Sequence, residues 1–236
     1  QAHMARFGTR PEHLARVATD TREHAAGNPT AQKRELISVD DVLASRPIAD
    51  PLRLLDCSLV SDGGAAVVLT RADRAAHLRH RPVYCLGFGE AHSHEHISQA
   101  TDLTTSAARE SGAGAFAMAG LGTRDMAFAQ LYDCFTPTVL IELEDLGFCD
   151  RGEGGAYLAS EGMGPGARLP VNTHGGMLSH CHPGNPGAMF ALTEAVRQLR
   201  GDCAEERQVA NAYAGLVHAQ GGIMSSHATL VLGTEV

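Results

Sequence analysis

Two apolar, β-rich runs, at 212–217 and 228–232, close the chain on either side of the glycine pair Gly221-Gly222. Branched aliphatic side chains flanking a short glycine loop predict two neighbouring strands of a buried sheet, and the rest of the chain has to pack around them. Three further short apolar runs, at 65–69, 83–88 and 128–132, also read as strands. Between them lie helical patterns at 11–26, 71–78, 105–118, 136–146 and 188–199. The punctuation agrees: Pro11 sits in a first turn, Gly27-Asn28-Pro29 ends that helix, Ser38 caps a second short one, and Gly147 closes the 136–146 pattern. A glycine-rich stretch at 152–168 reads as a loop. Strands alternating with helices argue for an α/β layered fold. The last glycine loop then puts His218 at a strand tip, where such folds usually build their sites.

Composition narrows the function classes. The formal net charge is −8 with no lysine- or arginine-rich run, which argues against nucleic acid as a partner. No apolar stretch approaches the length of a membrane span, and no signal-peptide pattern is present. Six scattered cysteines without a Cys-x-x-Cys pair suit reduced thiols of a cytoplasmic protein better than a disulfide framework or zinc ribbon. The opening residues, Gln1-Ala-His-Met, read as a helix already under way, as expected of a fragment.

The densest chemistry is Asn172-Thr-His-Gly-Gly-Met-Leu-Ser-His-Cys-His-Pro-Gly184. Gly175 and Gly176 let backbone approach a ligand closely. His182, stiffened by Pro183, can donate from a neutral ring to a carbonyl oxygen that becomes an enolate or oxyanion; a surface loop histidine gives the same pattern. His218, before Ala-Gln-Gly-Gly, can act as a general base or second oxyanion donor, or merely cap a strand end. In Tyr132-Asp133-Cys134-Phe135, Tyr132 can donate a proton or hydrogen bond, while Asp133 is equally a helix N-cap and Cys134 a packing residue. His92, His94 and His96 would share one face of a strand, but they have no partner spacing and read as a solvated loop, so no metal is assigned. Cys181 suggests a nucleophile only weakly.

Four stretches, in order, resemble the thiolase superfamily, in the branch of sterol-carrier-protein-type and lipid-transfer thiolase-like proteins. Ser61-Asp-Gly-Gly-Ala-Ala-Val-Val-Leu69 is similar to the strand that ends the family's N-terminal domain, and Tyr132-Asp-Cys-Phe135 stands where this branch carries His-Asp-Cys-Phe. Residues 172–184 resemble its Asn-x-x-Gly-Gly…Gly-His-Pro segment, and His218-Ala-Gln-Gly-Gly222 stands at its Cys-x-Gly-Gly-Gly. The resemblance implies an αβαβα layered fold, with 1–80 as the tail of the N-terminal domain and 81–236 as the C-terminal domain. It makes His182 the oxyanion-hole histidine, His218 the acid–base group acting at the α-carbon, and Tyr132 a support for the oxyanion. Ser58, Gly175, Gly176, Gly221 and Gly222 become candidate contacts to a coenzyme A thioester, which is the substrate rather than a resident cofactor. Two replacements, His218 for the family's acid–base Cys and Tyr132 for its Asn or His, depart from the pattern. The half that supplies the acylated nucleophilic Cys is absent, and none of the six cysteines replaces it. The implied function is a thiolase-type acyl-CoA acyltransferase of lipid or sterol metabolism. Two alternatives stand beside it: a retro-aldolase of a β-hydroxyacyl-CoA with Tyr132 as base, and a non-catalytic acyl-CoA-binding or assembly subunit. The expected partners are a second copy in a homodimer, and a second subunit that is either an OB-fold protein or the N-terminal thiolase half.

Overall fold

The computed structural model describes every residue except Ala76 and Val236. Helix α1 (Ala2–Phe7) leads into α2 (Pro11–Ala26), whose Leu14 and Val17 enter the core. In α3 (Val39–Ala44), Ser38 and Asp41 form a reciprocal capping box. A small ribbon, β1 (Pro47–Ala49) with β2 (Leu52–Arg53), and a single turn, α4 (Ala72–Ala75), follow. Next come β3 (Tyr84–His92), α5 (Ala108–Ala119), β4 (Phe128–Gln130), α6 (Thr136–Asp145) and α7 (Gly154–Ser160). A π-helical turn (Gly176–His180), α8 (Gly187–Arg200), β5 (Ala214–Gly221) and β6 (Ser226–Gly233) complete the chain.

The main sheet runs β3-β6-β5-β4. β5 and β6 form the antiparallel hairpin, β3 joins β6 antiparallel, and β4 lies parallel to β5, so the layered α/β expectation holds with a mixed sheet. Alternation sorts the side chains. Ala129, Leu216 and Val231 face a core shared with α2, α5 and α6, whereas Phe128, Val217 and Leu232 face α8. A one-residue register slip would exchange the two faces, so burial on both sides pins the pairing. Helix α5 lies directly on β3 at Gly87 and Gly89, where any Cβ would collide with the carbonyls of Ala115 and Ser111.

Several expectations need correction. Residues 65–69 form no strand: Val68 is 92% and Leu69 88% exposed. A branched-chain run favours a strand only when a neighbouring strand takes its backbone hydrogen bonds, and no described segment does so. The 71–78 pattern yields one turn, with Ala76 outside the described residues. The 152–168 loop contains α7. His92 ends β3, while His94 and His96 lie beyond it. His218 is not at a strand tip: it is the fifth residue of β5, 1% exposed, because the strand continues to Gly221. Among the described residues no helix is long and apolar enough to cross a membrane.

Candidate active site

Three segments distant in sequence converge on His182. Residue 58 follows a strand-like crossing in which Ser58 N–H donates to the Cys134 carbonyl (3.0 Å) and Leu59 N–H to that of Met177 (3.0 Å). This threading brings Ser58 Oγ to 2.7 Å from His182 Nδ1, and Ser61 Oγ accepts from the His182 backbone N–H at 2.7 Å. On the other side of the ring, the Tyr132 hydroxyl lies 3.2 Å from Nε2, with the two rings edge-on. Burial lowers the His182 pKa below its ordinary value, so the imidazole is neutral at pH 7. Burial, with Cys134, Asp133 and Glu142 nearby, raises that of Tyr132, which is a phenol rather than a phenolate. The two arrangements of Ser58 set the chemistry. If Ser58 donates to Nδ1, Nε2 carries N–H and is a donor; if Nδ1–H donates to Ser58, Nε2 accepts from Tyr132.

Below this pair, Asp133 is 1% exposed and accepts from the N–H groups of Met177 (2.7 Å) and Leu178 (3.2 Å). Desolvation raises its pKa to about 6 despite those bonds. Gly176 has φ +58°, and a Cβ there would strike the Asp133 carboxylate; Gly175, at φ +100°, lies against Ala25. The pair therefore shapes the π-helical turn and lets Asp133 clamp it. Those clamped N–H groups are already occupied and do not form an oxyanion hole.

His218 occupies a separate, fully buried network on the α5/α6 side of the sheet. Its Nε2 lies 3.0 Å from His227 Nδ1, its Nδ1 lies 2.8 Å from Thr229 Oγ1, and His227 Nε2 lies 3.1 Å from the Met224 carbonyl. A carbonyl only accepts, so His227 carries its proton on Nε2 and accepts at Nδ1. His218 must then donate from Nε2 and accept the Thr229 hydroxyl at Nδ1. Burial, reinforced by His227, lowers the His218 pKa to about 3. Glu142 Oε1 stands 3.8 Å from His218 Nε2, which by distance alone looks like an ion pair. Burial works against a charge on either partner: it raises the Glu142 pKa well above normal as it lowers that of His218. Glu142, Thr229 and His227 carried no sequence signal of their own.

The two signature loops still meet. Gln220 Nε2 donates to Cys134 Sγ at 3.2 Å, tying the end of β5 to the Tyr132-Asp133-Cys134 turn. Gly221 and Gly222 follow at the exposed hairpin, and nothing lies within 4 Å of a Cβ built at Gly221. Burial raises the Cys134 and Cys181 thiols to about 11 and Cys149 and Cys203 to about 12, so none is a thiolate at neutral pH. Among the described residues no group of His, Cys, Asp and Glu is arranged to hold a metal ion. Cavities of about 640 and 410 Å³ lie elsewhere, one at Arg124, Arg168 and Arg207, the other at His3 and Leu140.

Comparison with known proteins places these features. A family model described as "Thiolase C-terminal domain-like" matches residues 89–234. An acetyl-CoA acetyltransferase of Methanothermobacter thermautotrophicus is 39% identical over 93% of this chain and 57% of its own length. A steroid side-chain-cleaving aldolase of Thermomonospora curvata is 37% identical over 99% of this chain and 59% of its own. The solved Ltp2-ChsH2(DUF35) aldolase superposes with a TM-score of 0.90 at 37% identity, covering 98% of this chain and 60% of that one. The chain thus spans 57–60% of the length of these relatives.

Proposed function

The chain belongs to the thiolase C-terminal domain-like family, and from that premise we propose that it is part of an enzyme that cleaves a β-hydroxyacyl-CoA by a retro-aldol reaction. The Tyr132–His182 contact at 3.2 Å carries the reading. Retro-aldol cleavage needs a base for the β-hydroxyl and somewhere for its proton to go, but no acylated cysteine. Tyr132 takes the hydroxyl proton as its own passes to His182 Nε2, with Nδ1–H held by Ser58. The Cα–Cβ bond breaks, a carbonyl product leaves, and the electron pair enters the thioester as an enolate. The imidazolium formed at His182 stands beside that developing charge.

The aldolase relatives support this reading over acyl transfer, while the acetyltransferase relative keeps thiolysis as the second one. His218, with both ring nitrogens engaged and its side chain 0% exposed, is held inside the protein and takes no part in these steps. Of the proposed thioester contacts, Gly221 and Gly222 retain that role in their open hairpin. Gly175 and Gly176 instead shape the clamped turn, and Ser58 orients His182. The name of the solved aldolase includes a DUF35 component, and we assign this chain a second subunit of that kind. The deciding assay uses the protein purified from its own source with whatever partner accompanies it. Release of a carbonyl and a shortened acyl-CoA without free CoA supports retro-aldol cleavage. An absolute requirement for free CoA establishes thiolysis instead, and turnover under neither condition leaves a binding subunit.

A further inference from the structure

The cavity of about 640 Å³ has no task in that scheme and lies away from it. Ala127, just before β4, and Tyr213, just before β5, line it, so it opens where these strands begin, whereas Tyr132 follows the end of β4. Five residues of extended chain, at about 3.3 Å each, separate Ala127 from Tyr132 by roughly 16 Å. The volume is that of a small-molecule site.

Three arginines reach the cavity from separate segments. Arg207 is its floor: the side chain is 9% exposed and Nη2 donates to Glu194 Oε1 at 2.8 Å. Gly27 leaves room for it, since a Cβ there would stand 3.2 Å from Arg207 Cγ. With Nη2 committed and Nε enclosed without a partner, Nη1 is the guanidinium nitrogen left for the cavity. Arg124 and Arg168 stand at the exposed mouth and make no hydrogen bond or ion pair with any described residue. Their segments run side by side, because Ala129 N–H donates to the Pro170 carbonyl at 3.1 Å and Ala129 bridges Val171 in parallel.

Carboxylates line the same cavity: Asp125 accepts Gly122 N–H at 2.8 Å, while Glu23 and Glu206 are exposed. Net charge therefore does not select the occupant, and the donors and acceptors do. A fitting molecule brings anionic oxygens to the guanidinium groups, for which arginine offers a planar set of N–H donors. It also brings hydrogen-bond donors to Glu23 and Glu206, and a flat face to Tyr213, which is 53% exposed. Phosphate, sugar hydroxyls and a base meet these three demands together.

We propose that this cavity is a nucleotide site, with phosphate on Arg124, Arg168 and Arg207, sugar hydroxyls donating to Glu23 or Glu206, and the base against Tyr213. It stands whether the reaction is retro-aldol cleavage or thiolysis. The test is titration calorimetry with ADP, and separately with inorganic phosphate, on the full protein with its partner. ADP should bind saturably, and Arg124→Gln and Arg168→Gln should each weaken it about 10-fold or more while cleavage without ADP stays at the wild-type rate. Tyr213→Ala should weaken ADP about 5-fold or more and leave phosphate unaffected. No saturable ADP binding at millimolar concentration, or binding unchanged in both arginine variants, overturns the site. Phosphate that binds as tightly as ADP overturns its assignment to a nucleotide.

Discussion

Tyr132 and His182 are separated by 50 positions, yet their contact carries the proposed chemistry. Tyr132→Phe removes the hydroxyl and leaves the ring. Cleavage should fall by roughly 10²–10⁴-fold with substrate affinity little changed, which a kcat against KM comparison will read. The pH profile follows from His182. Burial lowers its pKa, and only the neutral ring accepts a proton from Tyr132. Activity should therefore be flat above the ordinary histidine value and fall on an acid limb centred below about 6.5; a limb centred above it would exclude His182 as the acceptor. His182 was legible because Pro183 and Gly184 mark a constrained histidine. Glu142 was not, because a glutamate in a helical pattern is usually on the solvent face, and only the packing of α6 against the sheet turns it inward.

At the level of elements, the π-helical turn depends on what lies beneath it. Gly176→Ala forces a Cβ onto the Asp133 carboxylate at a positive φ, and should cost about 1–3 kcal/mol by overpacking alone. Thermal melting should show the loss, together with lower activity as His182 shifts; an unchanged melting temperature would mean that Asp133 is not a clamp. The sequence pattern located the turn and its glycines, but not the reason for them. Helix α7 was invisible for a related cause. Its first residues, Gly154 and Gly155, are poor helix formers, and its start is held from another helix: Glu144 Oε1 accepts Gly154 N–H at 2.8 Å. Capping supplied across the fold leaves no local signature. The β5–β6 hairpin did have one, since its apolar runs and glycines lie within twenty residues.

Across the whole molecule, stability should follow burial rather than hydrophobicity. Leu14, 3% exposed, joins the core of α5, α6 and the sheet, and Leu14→Ala should cost about 2–5 kcal/mol. Leu69, 88% exposed, should tolerate Asp within about 0.5 kcal/mol. Denaturant unfolding of both variants checks the contrast, and a large loss at Leu69 would show that the 65–69 run is packed after all. That run looks in sequence like the interior strands but has no neighbouring strand among the described residues, so its burial was misread. By itself the sequence determined the alternation of elements, the closing hairpin and the family resemblance, and it offered Tyr132 and His182 as candidates, because these rest on local periodicity, turn chemistry and short motifs. Only the tertiary structure decided that His218 is enclosed, that Ser58 orients His182, that Asp133 clamps the glycine turn and that Glu142 stands beside position 218. Each of those depends on contacts between segments tens of residues apart, where burial removes water and so sets which group is charged, which donates and which accepts.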